Sequence, residues 1–431
     1  MKLLNFYQDH ANQVIIPFWT KAIDKRNGGV YTCFSNTGSE LLSKDKYTWS
    51  QGRFIWLWSR LAELSENGFV DGNSELYLEH AKKTVDFIRK HAMLENGNVA
   101  FLLSEEGCKK ESIPGKGYDI SFYADCFVIL GYAEYARIAK DKDVFHEARE
   151  IYKSVLNRIN NKQIRTHPYP VPSGLKAHSV PMIMLNVTEQ LAYTAHEINY
   201  VEEEFNDLSL LFLKEVIEQF YCDDGLVIEL MPEQGSDSNT ILCRHLNPGH
   251  TIESMWFVIS SACRIGKKEW IQKAAKAIKK AFHLGWDKEY GGLFRYVDIE
   301  GGKPRGEASD HPFEKMILNT WDTKLWWPHS EALYSTMLAY KYTGDKDFLT
   351  LYDQTHDYVF NTFPNSDRNV GEWIQIRDRQ GRPIDTLVAL PVKDPFHILR
   401  SILLMIELMR EKYCVPKERI RSHEANQKRK G

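Results

Sequence analysis

Two segments of this chain each place a histidine three residues ahead of a charged side chain at the start of an apolar run. The first is RHLNPGHTIESMWF, Arg244 to Phe257, where Asn247-Pro248-Gly249 breaks the chain and His250 and Glu253 share one face of the helix that follows. Unpaired N–H groups and the dipole at that helix start disfavour an imidazolium, which leaves the neutral ring a general base needs. The second is DPFHILRSILLMIELM, Asp394 to Met409, in which Asp394-Pro395 supplies the start signal and His397 and Arg400 are again three apart. A capping or core role is the alternative for either histidine alone. Two helices opening on the same pattern are less easily dismissed as structural than one.

Two further segments add charge to apolar surroundings. In DTKLWWPHSEALYSTMLAY, Asp322 to Tyr340, His329 and Glu331 enter a helix behind two tryptophans, although Ser330 and Glu331 could simply open that helix. In WSQGRFIWLWSRLAEL, Trp49 to Leu64, Arg53 precedes a run so apolar that its guanidinium needs an anionic partner or a ligand oxygen. His245, His250 and Glu253 could ligate a metal, but H-E-x-x-H is absent and no second carboxylate-rich cluster lies nearby, so no metal is expected. Neither a phosphate loop, a G-x-S-x-G elbow nor a dinucleotide fingerprint occurs, which removes support for kinase, acyl-transfer and hydride-transfer chemistry.

The elements that must position these residues are helical. Apolar residues recur at helical spacing, and several stretches share one plan of helix, short polar break and second amphipathic helix, as in Tyr132 to Leu156, Ser260 to Phe282 and Thr336 to Phe360. Breaks fall near Ser65–Glu75, Lys140–Asp143, Asn199–Glu203, Gly266–Lys268 and Gly344–Lys346. That gives five hairpins. Helices near Phe6 to Ala22 and Pro395 to Tyr413, with the segment after Thr48, can complete a sixth and close a ring, an open solenoid being the alternative. Inner helices should be buried all round, as the apolar Thr251 to Cys263 suggests, and outer ones on one face, as in Glu269 to Phe282. Phe294–Ile299, turning at Gly301-Gly302, reads as a small β-hairpin. A single domain is expected over residues 1–414, followed by a polar, basic tail over 415–431.

The composition fits a globular chain with a sizeable core, 43% hydrophobic and 26% charged. A net charge of −3 with scattered basic residues excludes a nucleic-acid stripe, and no segment offers the ~20 apolar residues of a bilayer span. The N-terminus lacks a secretory pattern, and seven widely spaced cysteines without a C-x-x-C suggest neither a disulfide framework nor a zinc ribbon, so a reducing cytoplasm is expected. Aromatics reach 12%, which mildly favours a carbohydrate pocket.

Five motifs in order, GR-x-x-W at Gly52, FYADCFVILGYAEYA at Phe122, NPGH-x-x-E at Asn247, KLWWPHSEAL at Lys324 and FH-x-x-R at Phe396, resemble the N-acylglucosamine 2-epimerase family. The resemblance implies an all-α (α/α)6 barrel, a closed toroid of six helical hairpins with short β-hairpins inserted in loops. It implies His250 and His397 as the acid–base pair, Arg53, Glu253, Glu331 and Arg400 around the sugar, and Lys176 and Asn186 as further pocket residues. The implied reaction interconverts N-acetylglucosamine and N-acetylmannosamine at C2. It requires no cofactor, takes ATP as an effector and a small sugar as its partner, and belongs to a homodimer without nucleic acid or membrane. Cellobiose 2-epimerases and mannose-type aldose–ketose isomerases share the superfamily and are the alternative readings, with a glycoside hydrolase and a non-catalytic sugar-binding barrel as rivals from other classes.

Overall fold

The computed structural model of the protein describes residues 2–411 apart from 202 and 234–238. The tail expected over 415–431 lies outside the described residues. The first helical stretch, here α1, runs continuously through Lys2–His10, a π-helical Ala11–Ile15 and Ile16–Lys21. Five helical hairpins follow: α2 (Thr48–Glu66) with α3 (Ser74–His91), α4 (Phe122–Ala139) with α5 (Lys142–Asn160), α6 (Ser179–Glu197) with α7 (Glu203–Glu215), α8 (Pro248–Arg264) with α9 (Lys268–Gly285), and α10 (Trp326–Thr343) with α11 (Asp347–Thr362). The last helix, α12 (Phe396–Glu411), packs against α1 as the sixth pair.

The breaks fall near where the sequence placed them, and local capping chemistry fixes two of them. Lys140 adopts a left-handed φ of 56° after α4, and the Asp141 side chain accepts from the amides of Asp143 and Val144 to open α5. Gly344, at φ 71°, ends α10 in the same manner.

Burial separates two layers. Every residue of α4 from Phe122 to Arg137 is buried, whereas the buried residues of α5 are Val144, Phe145, Ala148, Ile151, Tyr152 and Val155, the i, i+3/i+4 stripe of an outer helix. The inner helices α2, α4, α6, α8, α10 and α12 touch one another in that order, and α12 also touches α2. The ring therefore closes, and the open solenoid is excluded. Among the described residues no helix is long and apolar enough to cross a membrane.

Short antiparallel ribbons lead the chain into the inner helices. Lys46–Tyr47 pairs with Leu102–Leu103 ahead of α2, Leu175–Ala177 with Leu230–Pro232 ahead of α6, His245–Leu246 with Val297–Asp298 ahead of α8, and Lys324–Leu325 with Ile376–Arg377 ahead of α10. The hairpin expected at Phe294–Ile299 is thus not local. The chain turns at Gly301-Gly302, with the Asp298 amide donating to the Gly302 carbonyl, but Val297–Asp298 takes the distant His245–Leu246 as its partner. Leu246, Phe294 and Val297 pack together there, and that buried contact decides the pairing.

The tightest approach in the ring is between α2 and α4. A Cβ at Gly52 would stand 2.6 Å from the Val128 amide nitrogen, and one at Gly131 would meet the Gly52 carbonyl and lie 2.9 Å from Ile55 Cβ. Gly131→Ala should therefore force the two helices apart and destabilise the protein by about 1–3 kcal/mol. Scanning calorimetry should read this as a lowered Tm, and an unchanged Tm would contradict the close crossing.

Candidate active site

A cavity of about 190 Å³ opens at one end of the ring. Its walls include Trp49 and Arg53 of α2, Tyr123 and Phe127 of α4, and Met182 and Asn186 of α6. The remaining inner helices contribute His250 and Glu253 of α8, Trp326 and Trp327 of α10, and His397 and Arg400 of α12. All twelve belong to the first eight residues of their helices. The six inner helices therefore run parallel and aim their N-terminal ends at one chamber.

His250 occupies the first turn of α8, where Pro248 stands near the start and the Asn247 side chain accepts from the His250 amide. Its Nδ1 lies 2.7 Å from Oε1 of Glu229. That contact fixes the tautomer: Nδ1 carries the hydrogen donated to the carboxylate, and Nε2 is left for the chamber. Burial lowers the imidazolium's proton affinity, but the charge and hydrogen bond of Glu229, with a smaller push from Glu253, outweigh it and hold the pKa above the ordinary value of 6.5. The helix end alone argued for a neutral ring; the carboxylate reverses that expectation. Glu229 is itself buried, which raises its pKa, but the charge and hydrogen bond of His250, with the His178 ring 3.9 Å away, hold the carboxyl well below the usual range.

His397 has the opposite character. Its Nδ1 is 2.8 Å from Oε1 of Glu331 and 3.6 Å from Oε1 of Glu253, and its Nε2 is 3.2 Å from Nη2 of Arg53. Burial pulls its pKa down to about 3; Glu253 opposes this, while the Arg53 and Arg400 charges reinforce it. The ring is neutral at neutral pH, with Nε2 as its basic nitrogen.

Arg400 binds Glu253 and Glu331 through the same Nη2, and so ties α8, α10 and α12 together. Arg53 finds the anionic partner its surroundings demanded in Asp394, at 3.3 Å, and its guanidinium lies 4.0 Å from the centre of the Phe127 ring. Asp394, read from the sequence as a helix start, also accepts from the Ser50 hydroxyl and the Phe396 amide.

The two histidines share one neighbour. The Trp327 indole lies 5.2 Å from the His250 ring centroid and 5.7 Å from that of His397. The imidazole centroids are therefore no farther apart than the sum of those distances. Gly249 makes room for this indole, since a Cβ there would stand 2.6 Å from it.

Not every expected residue reaches the chamber. Glu331 stands behind the wall, where Oε1 holds His397 and Arg400 and Oε2 accepts from the Trp256 indole at 2.8 Å. Lys176 does not line the chamber. Its strand alternates, so Leu175 and Ala177 join an apolar cluster while Lys176 is exposed, with Nζ 3.5 Å from the Gln219 side chain. Asn186 does line it. His329 is a buried structural ring, with Nδ1 on the Leu325 carbonyl and Nε2 accepting from the Leu293 amide.

Among the described residues His245 does not bring a ligand atom together with His250 and Glu253, and its Nδ1 is engaged by the Leu242 carbonyl. Glu253, Glu331 and His397 present ligand atoms within 4.8 Å of one another, a spacing a cation could use. Nη2 of Arg400 already contacts both carboxylates and lies 3.5 Å from Nδ1 of His397, so a fixed positive charge stands where the ion would sit. The donor set fits an arginine-bridged charge network and not a metal site.

Sequence reasoning missed Glu229, Trp327 and Arg295. Glu229 had a usable signal: a carboxylate inside the apolar run Leu226 to Leu230 has to find a partner once that run is buried.

The model of the family described as N-acylglucosamine 2-epimerase (GlcNAc 2-epimerase) matches residues 29–401. The N-acylglucosamine 2-epimerase of Bos taurus is 29% identical over 92% of this chain and 88% of its own length. The cellobiose 2-epimerase of Ruminococcus albus is 24% identical over 91% of this chain and 95% of its own. Among solved structures, a sugar epimerase from a ruminal bacterium superposes with a TM-score of 0.74 at 20% identity, covering 94% of this chain and 98% of that one. With the closed ring of six hairpins and one chamber fed by six helix ends, this chain belongs to the N-acylglucosamine 2-epimerase family, enzymes that epimerise or isomerise carbohydrates.

Proposed function

We propose that this protein interconverts N-acetylglucosamine and N-acetylmannosamine by removing and replacing the proton on C2 of the open-chain sugar, with His250 and His397 as the acid–base pair. One observation carries the reading: two imidazoles flank the same indole, each with Nδ1 on a carboxylate, one favouring its proton and the other shedding it. Opening the ring puts an aldehyde beside C2, which makes the C2 hydrogen removable. Neutral His397 takes it through Nε2, and the electrons pass into the carbonyl to give an enediol(ate). His250 then delivers a proton through Nε2 to the opposite face, which inverts the centre. Arg53, beside the His397 nitrogen, supplies a donor for the oxygen on which charge develops.

Both directions need one proton on the pair, and the direction in which His397 is the base starts from the favoured state. No cofactor enters this reading. Glu331, Glu253 and Arg400 keep His397 in one tautomer, and Glu229 does the same for His250. The homodimer and the response to ATP implied by the resemblance, and the cytoplasmic setting expected from the cysteines, belong to the same proposal, and the chemical step depends on none of them.

The N-acyl substrate is favoured over cellobiose by the higher identity to the N-acylglucosamine enzyme. A glycoside hydrolase would need two carboxylates on opposite sides of a bond, about 5–10 Å apart. Glu253 and Glu331 instead converge on one guanidinium nitrogen.

His250→Ala and His397→Ala should each lower kcat by ~10²–10⁴-fold with the fold retained. Turnover followed by proton NMR over N-acetylmannosamine, mannose and cellobiose checks this and identifies the substrate. In heavy water each epimerised product should carry deuterium at C2; product without it would require a hydride shift or redox route. The pH profile of kcat/KM should hold through the mildly acidic range, because His397 gains a second proton on the pair only near its depressed pKa of about 3. It should fall at a pH above 6.5, where His250 loses its proton. Glu229→Gln removes the charge that raises His250, so the alkaline limb should move to lower pH; an unmoved limb would remove His250 from the role of acid.

A further inference from the structure

The chamber holds one guanidinium that the charge network leaves out. Arg295 lines the wall and is 4% exposed. Among the described residues it forms no ion pair. Its Nη1 donates to the Thr320 hydroxyl at 3.1 Å, and its Nη2 donates to the Tyr169 hydroxyl at 3.2 Å and lies 3.9 Å from the Met316 sulfur. These partners are neutral. The Tyr169 hydroxyl in turn donates to the Val388 carbonyl, which holds it in place. Arg53 and Arg400, by contrast, each pair with carboxylates. A buried guanidinium without an acidic partner is costly unless an acceptor completes it, and its surroundings are built on the chamber side.

The wall around Arg295 is apolar. Leu230, Tyr296 and Phe313 line it together with Ala177, and the Tyr296 and Phe313 rings stack edge to face. This patch adjoins the His250 side: Leu230 follows Glu229, the partner of the His250 ring, and the Arg295 charge lowers the proton affinity of His250. A ligand group suited to this place combines one strong oxygen acceptor with a small apolar end, and lies next to the carbon that His250 serves.

We propose that Arg295 is a specificity-determining residue that donates to the acyl carbonyl oxygen on the sugar's C2 nitrogen, with the acyl methyl against Leu230, Tyr296 and Phe313. The proposal rests on the reading of the chamber as a C2 epimerisation site. The acyl group is borne by the reacting carbon itself, so its subsite has to adjoin one of the two histidines. A plain aldose carries only a hydroxyl at that position and offers neither the carbonyl nor the methyl.

The test compares N-acetylmannosamine with mannose as competing ligands of the wild type and of Arg295→Met, which keeps an unbranched apolar stem and removes the donors. For N-acetylmannosamine, kcat/KM should fall by ~10–100-fold, mainly through KM, whereas the inhibition constant of mannose should change by less than about two-fold. Arg295→Lys, which keeps the charge and one donor direction, should recover part of the discrimination, and it carries the test if the methionine variant does not fold. Loss of both sugars to the same extent, or unchanged discrimination in both variants, overturns the assignment while wild-type turnover of N-acetylmannosamine leaves the epimerase reading standing. A wild type that exchanges no C2 hydrogen on N-acetylmannosamine overturns both.

Discussion

Each of two imidazoles, His397 buried and His250 half-buried, donates its Nδ1 hydrogen to a carboxylate, and the proposed chemistry follows from the unequal balance at those two contacts. Glu229 faces His250 with no arginine paired to it, so its full charge acts on the ring and holds a proton there. Glu331 faces His397 while also bound to Arg400, and Arg53 stands on the ring's other side, so the same kind of contact leaves that ring neutral. In the proposed reaction one residue type serves as both acid and base, because what lies behind each ring differs.

The barrel makes this arrangement sustainable. Six parallel inner helices converge by their N-termini, and the partial positive charge of those ends favours carboxylates held close by. Glu229, Glu253, Glu331 and Asp394 are all buried at this end, each against a cationic partner. The ribbons that enter α2, α6, α8 and α10 anchor the segments before those helices, so that the first-turn residues are held by backbone pairing on one side and by helix packing on the other. Glycine supplies the closest fits, at Gly52 and Gly131 for the α2–α4 crossing and at Gly249 for the indole between the histidines.

Much of this is legible in the sequence where its causes are local. Helix breaks were readable because Asp141, Gly344 and their neighbours cap and turn within a few residues, and the inner and outer layers because burial follows helical period. His250, Glu253, His397 and Arg400 stood out because each pair occupies one helical face. What escaped has a non-local cause. Glu229 acquires its role from a histidine 21 residues away, and without it the protonation of His250 reads the wrong way. Val297–Asp298 takes its partner from the segment before α8, which no turn signal at Gly301 could announce. The resemblance places Lys176 in the pocket, but one step of strand alternation turns Ala177 inward and Lys176 out.

The central claim is the opposed protonation of the two rings, and nitrogen-15 NMR of the histidine side chains reads it directly. The resonances can be assigned by comparing the protein with its His250→Asn and His397→Asn variants. Between about pH 5 and about pH 8 the His397 ring should stay neutral, with its hydrogen on Nδ1, while His250 should titrate with a midpoint above 6.5. Two rings titrating together near 6.5, or a His250 neutral across that range, would contradict the account.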